Sequence, residues 1–201
     1  MQRMILGIAI AVSMLGVAGC GKKEASKGNF KSAIQDYLDT TPGLCVSLPS
    51  HDASFRVGRT SFETEPLAKY LSLSKVGLLT VKEVETQGIL GRQQVFEFAL
   101  NDDGRKYLVQ RGGFQAGALC TGKRRVTEVV NFTEPSEMMG AKISRANYRY
   151  KVEDADAWSR DPQVVMAFRE LKASDDAEDT AVLVATSEGW MHERLFRKQP
   201  H

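Results

Sequence analysis

Residues 77–108, GLLTVKEVETQGILGRQQVFEFALNDDGRKYL, set the reading of this chain. Two runs rich in β-branched and aromatic residues, 80–86 and 94–100, flank a connector with glycines at Gly88 and Gly91. That pattern predicts a β-hairpin. The run ends at Asn101-Asp102-Asp103-Gly104, where an asparagine precedes two aspartates. Asparagine is a strong N-cap, and acids favour the positive end of a helix dipole, so a capped helical turn follows the hairpin. Upstream, Pro66, Leu67, Tyr70 and Leu71 have the spacing of an amphipathic helix with proline near its start, and Gly77 stops it.

Outward toward the C-terminus the pattern becomes sheet-like. Residues 124–133 predict one strand and 143–152 another. In the second, Ala146, Tyr148, Tyr150 and Val152 alternate with Arg145, Asn147, Arg149 and Lys151, which describes a half-buried antiparallel strand. Residues 180–186 (TAVLVAT) are apolar on both faces and predict a central strand, and Gly189-Trp190-Met191-His192 a last one. Between the strands at 143–152 and 180–186, Trp158, Val164, Val165, Phe168 and Leu171 have helix-compatible spacing over 154–172, with Asp161 as N-cap and Pro162 at the first helical position. Toward the N-terminus, Phe30, Ile34, Tyr37 and Leu38 predict a helix over 30–39, with Cys45, Val46 and Leu48 in a loop beyond it. The expected fold is α+β: an N-terminal helix, the helix–hairpin unit, and an antiparallel sheet with one packed helix.

The helix, Gly77-Leu78-Leu79, hairpin and Gly104-Arg105-Lys106-Tyr107-Leu108 series resembles the winged helix, in which a helix leads into Gly-Leu-Leu, a wing, and a Leu-Thr-x-x-Gly-Arg-x-Tyr-Leu run. Here Asn101 stands for the usual threonine and keeps its capping role. The resemblance covers 66–109 and implies a shape. In cytoplasmic relatives a helix of that shape enters the DNA major groove, but the first twenty residues point away from DNA.

Those residues begin Met1-Gln2-Arg3, continue uncharged from Met4 to Ala18, and close in Val17-Ala18-Gly19-Cys20. A basic start, an apolar stretch and small residues at the end describe a secretory signal peptide over 1–19. The last four residues resemble the lipobox of bacterial lipoprotein precursors. That resemblance implies cleavage before Cys20 and lipidation there, with palmitate-type acyl chains, on a tether over 20–29 that leads to a soluble domain over 30–201. Stable anchoring needs more than one acyl chain, and the implied modification supplies about three. Gly21 stands where an aspartate would hold such a protein in the inner membrane. The expected location is therefore the outer membrane, facing the periplasm.

With Cys20 assigned to lipid, Cys45 and Cys120 remain as an even pair, expected to be disulfide-bonded in an oxidising compartment. Their loop of about 75 residues would contribute roughly 4 kcal/mol on the chain-entropy account.

The chain has 27 basic and 25 acidic side chains over 201 residues, a net charge of +2, and 42% hydrophobic residues. That balance gives no reason to expect nucleic acid and is sufficient for a core. The charge is uneven: 123–151 is basic and 153–179 acidic. The two stretches either neutralise each other or bind an envelope protein or anionic envelope ligand.

No motif predicts a catalytic centre, a cofactor or a metal. Gly117-x-x-x-x-Gly122-Lys123 has the spacing of a phosphate loop, but Arg124 replaces the Ser or Thr that would hold magnesium, and a strand pattern follows instead of a helix. Ser72-Leu73-Ser74-Lys75 matches a serine–lysine nucleophile motif without its companions, so Ser72 reads as a surface position near a helix end. His51, His192 and His201 lack metal spacing, and His192 reads as an exposed strand-end residue. The expected function is a non-catalytic binding or structural module; the alternative is a small periplasmic enzyme acting on cell-wall material.

Overall fold

The computed structural model describes residues 21–50, 54–58, 64–88, 91–110, 117–138, 140–172 and 176–198. The chain is a mixed α+β protein whose strands pair antiparallel. Among the described residues, three sheets and five α-helices bury two apolar clusters.

Helix α1 spans Lys27–Leu38. It starts earlier than its apolar spacing indicates, because the side chain of Ser26 accepts from the Asn29 N–H and caps it. Phe30, Ala33, Ile34 and Leu38 form its buried stripe. That stripe covers one face of a five-stranded sheet: β7 (Lys123–Phe132), β8 (Ser136–Met138), β9 (Ala141–Glu153), β10 (Ala177–Thr186) and β11 (Gly189–His192). Strand order is β11-β10-β9-β7, with β8 also paired to β9, so the apolar run at 180–186 lies inside the sheet. Along β9, Ser144, Ala146 and Tyr148 are buried while Arg145 and Asn147 are exposed. On β7, buried Val126 and Val129 are three residues apart, which a regular strand would send to opposite faces. Register shifts between Val126 and Glu128 and between Val129 and Asn131 reset the alternation.

The edge of β7 is also protected. Gln35 on α1 donates to the Arg124 carbonyl (3.0 Å) and accepts from the Val126 N–H (2.9 Å). Lys31 donates to the Thr127 carbonyl (3.0 Å). The helix thus satisfies backbone groups that an edge strand would otherwise offer to another chain.

The second cluster is assembled from short pieces. One sheet has the order β2-β4-β3, from β2 (Ser54–Gly58), β3 (Leu79–Gly88) and β4 (Gly91–Leu100), with α2 (Thr64–Lys75) packed on it. The β3–β4 ladder runs to Gly88 opposite Gly91, tighter than the expected connector; its tip, 89–90, lies outside the described residues. Helix α3 (Asp102–Arg105) follows, capped by Asn101, whose side chain accepts from the Gly104 N–H (2.8 Å). A small sheet has the order β1-β6-β5, from β1 (Leu44–Ser47), β5 (Leu108–Val109) and β6 (Ala118–Thr121). Cys45 and Val46 are therefore in a strand rather than in the expected loop; four residues were too few to show a period.

The connection from β9 to β10 crosses into this second cluster. Instead of the single helix expected over 154–172, the chain forms a 3-10 turn (Ala157–Arg160), helix α4 (Pro162–Ala167) and another 3-10 turn (Arg169–Leu171). Pro162 disfavours helical geometry at Asp161, whose ψ is 128°, and Phe168 is extended at φ −120°, ψ 90°. Asp161 still caps α4, accepting from the Gln163 and Val164 N–H groups. The two breaks let Trp158, Val164, Phe168 and Leu171 all enter the cluster that holds Leu73, Phe98 and Leu119. The last helix, α5 (Glu193–Phe196), follows β11 directly.

Candidate functional site

Cys45 and Cys120 face each other across β1 and β6, with Cα atoms 4.1 Å apart and sulfurs at disulfide distance. The Cys120 N–H donates to the Tyr107 carbonyl on the β5 side, so toward β1 the two cysteines form a non-hydrogen-bonded pair. That is the pairing in which antiparallel side chains approach most closely. Cys20, His51 and His201 lie outside the described residues.

The serine–lysine motif does not form a catalytic pair. Ser72 is only 5% exposed, contrary to the surface position expected, and its Oγ donates to the Lys69 carbonyl one turn back (2.6 Å). Its neighbour Lys75 donates instead to Gln163 on α4 (3.1 Å).

His192 also differs from expectation. It is 5% exposed, its ring stacks on Tyr37 of α1 at 3.9 Å, and its Nδ1 accepts from the Arg194 N–H to cap α5. Burial holds its pKa below the ordinary value, opposed by the nearby Glu193 carboxylate. The ring is a packing and capping group between α1, β11 and α5.

Opposite charges largely meet. Arg149 pairs with Glu178 (2.9 Å) and Asp176 (3.8 Å), Arg125 with Asp39 (2.8 Å) and Glu153 (3.7 Å), and Lys151 with Glu153 (2.8 Å). The basic strand face is thus met by the acids at the start of β10 and at the ends of α1 and β9. On the buried face of the sheet the Tyr148 hydroxyl donates to Asp179 (3.3 Å); burial first, and that carboxylate second, push the phenol far up. Among the described residues no cluster of three His, Cys, Asp or Glu side chains could hold a metal, and no helix is long and apolar enough to cross a membrane.

Two concavities adjoin at Glu170, which lines both. The larger, about 800 Å³, is a mostly apolar groove between α2 and α4, with Val81 (40% exposed) and Met166 (77% exposed) among its walls. The smaller, about 350 Å³, lies where β1, β7, β9 and the 169–171 turn meet, and Cys45 is on its wall.

Three charged residues line the smaller cavity, Arg124, Glu170 and Lys172, and the first is the residue that rules out a phosphate loop. Two glycines seat it. Gly122 has φ +71°, and a Cβ there would fall 2.8 Å from Val152; one on Gly43 would fall 2.6 Å from the Gly122 carbonyl carbon. Their close crossing, with the Gly43 N–H donating to the Gly122 carbonyl (3.2 Å), turns the Gly43 carbonyl toward Arg124 Nε (3.2 Å). The guanidinium also lies over the Tyr150 ring, 5.6 Å from its centre. Sequence reading noted Arg124 only for what it excludes; its partners come from segments about 80 and 25 residues away, which no local pattern can display.

Neither the protein-family models, nor the curated proteins, nor the solved structures yield a match to this chain.

Proposed function

We propose that this chain is a lipid-anchored module of the bacterial envelope that binds a ligand or partner and performs no chemistry of its own. The observation that carries the reading is the approach of Cys45 and Cys120, which are 75 residues apart in sequence and meet in register at disulfide distance. A bridge there uses two of the three cysteines and suits an oxidising compartment. The third, Cys20, is left for the lipid that Val17-Ala18-Gly19-Cys20 implies. Anchoring then brings the domain to a membrane surface on the short segment after Cys20, and Gly21 in place of aspartate directs it to the outer membrane. The engagement of Ser72 and His192 in packing and capping favours binding over catalysis.

The segment around α2 is proposed to have a winged-helix-like shape without the DNA-binding role. The support is α2 lying between β2 and β3 in a sheet of order β2-β4-β3, followed by the capped turn at Asn101.

Labelling with a palmitate analogue in the native host tests the anchor. Wild type incorporates the label and sediments with membranes; Cys20→Ala does neither. A mutant that labels and fractionates as wild type does overturns the reading. Density-gradient separation of the two membranes tests sorting: wild type bands with the outer membrane, and Gly21→Asp moves toward the inner one.

A further inference from the structure

We infer that the 350 Å³ cavity at Arg124 is a binding site for a small molecule ending in a single carboxylate. The inference rests on the reading of the chain as a binding module and names the ligand class.

Arg124 is held before any ligand arrives. Its Nε is committed to the Gly43 carbonyl (3.2 Å), its flat face to Tyr150, and its strand to α1 through Gln35. The two terminal nitrogens of the guanidinium have no partner among the described residues. They form a planar edge that matches the two oxygens of a carboxylate. Lys172, on the same wall, makes no ion pair among the described residues, although Glu170 lines the cavity too.

Charge decides between anions. The lining sets Arg124 and Lys172 against Glu170, a net of one positive charge. A monoanion brings the cavity to neutrality, whereas a phosphate dianion would overshoot and be repelled by Glu170. Geometry agrees, since a flat guanidinium edge addressed by one further point charge suits a planar two-oxygen group. The volume is at the small end of ligand pockets, suited to a carboxylate with a short acyl or peptidyl body.

The test uses the full chain in detergent micelles, titrated calorimetrically with N-acetylalanine, N-acetylalanine amide and inorganic phosphate. The acid should bind saturably, with the amide at least tenfold weaker and phosphate weaker than the acid. Arg124→Gln should weaken the acid about tenfold or more, as expected for charge-assisted hydrogen bonds. Because Arg124 also holds Gly43, Lys172→Gln carries the decision: about threefold to fivefold weaker binding at an unchanged melting temperature. Glu170→Gln should improve phosphate binding relative to the acid. Absence of saturable acid binding, an amide that binds as tightly as the acid, phosphate outbinding the acid on wild type, or Lys172→Gln indistinguishable from wild type each overturns the site. These outcomes leave palmitate labelling of Cys20 untouched, and loss of labelling leaves the titration untouched, so the two failures are distinct.

Discussion

The half built on α1 and the five-stranded sheet buries its apolar residues with one regular helix over one regular face. The half built on β2-β4-β3 and β1-β6-β5 does so with fragments, none of which could form a core alone. In the first, Phe30, Ile34 and Leu38 repeat at helical spacing, and alternate residues of β9 turn inward. In the second, one or two residues arrive from each of several short elements, including Val46, Val57, Leu73, Phe98, Leu119 and Trp158. The difference shows how the halves depend on each other. The fragmentary core is completed by 157–171, a loan from the connection between β9 and β10 of the regular sheet. The regular half is in turn tied to the other by β1, which follows α1 directly. The chain passes repeatedly between the two clusters, so they are expected to unfold together.

The largest effects test that dependence. Phe30 is fully buried and meets Phe132 and Trp190 edge-on, each at 4.8 Å. Phe30→Ala should cost about 3–5 kcal/mol. The two tryptophans of the chain sit one in each core, Trp158 in the fragmentary and Trp190 in the regular. Single-tryptophan versions made by Trp158→Phe and Trp190→Phe should each report one urea transition, and Phe30→Ala should lower the midpoint of both equally. A shift confined to Trp190 would break the comparison into two independent units.

Next in size is the cysteine pair. Cys45→Ser should lose about 4 kcal/mol, because a bridge over a 75-residue separation restricts the unfolded chain strongly. Thermal melting with and without reductant measures it, and the reductant should not shift the variant. Full alkylation of both cysteines in denatured, unreduced protein would exclude the bridge.

A smaller effect sharpens the account of the fragmentary half. Asn101 caps α3 and also donates to the Gly77 carbonyl (2.7 Å), tying the end of β4 to the end of α2. Asn101→Ala should cost about 1–2 kcal/mol in chemical denaturation, while Asn101→Asp, which keeps the acceptor, should recover part of it.

The smallest effect lies at the rim of the regular half. Burial lowers the pKa of His192 below its unfolded value of 6.5, so the unfolded chain binds the extra proton first. The contribution is therefore fully present above about pH 6.5 and is lost as pH falls from there through the lower folded value. Stability measured from pH 7.5 to 5 should decline, and His192→Asn should flatten that part of the slope. An identical slope in the variant would assign the decline to other groups.

The regular half was legible because its signals are local. The inward alternation of Ala146 and Tyr148 and the apolar run of β10 identify strands without reference to the rest of the chain. The caps at Asn101 and Asp161 were equally readable, since a cap acts within three residues. Other features were set by distant neighbours. The spacing of Trp158 to Leu171 fits a helix, yet Pro162 and the extended Phe168 break it to suit a core made elsewhere. Ser72 and His192 read as exposed because each is a polar residue near the end of an element, and both are covered by packing that their local sequence does not show. For the candidate site, the residue type of Arg124 was visible, but the Gly43 and Tyr150 that position it were not.

The placement of α1 has a consequence in time. It is made before all the strands that cover Phe30, Ile34 and Leu38, of which β10 and β11, ending at His192, come latest. A growing chain therefore carries an incompletely covered apolar stripe until β10 and β11 have been made, and long-range pairing of this kind is slow to close. The stripe lies close behind Cys20, the residue proposed to enter the membrane. A helper that shields apolar surface during transit would have its natural foothold there, and a chain stalled before β10 would be left with its stickiest face nearest the lipid.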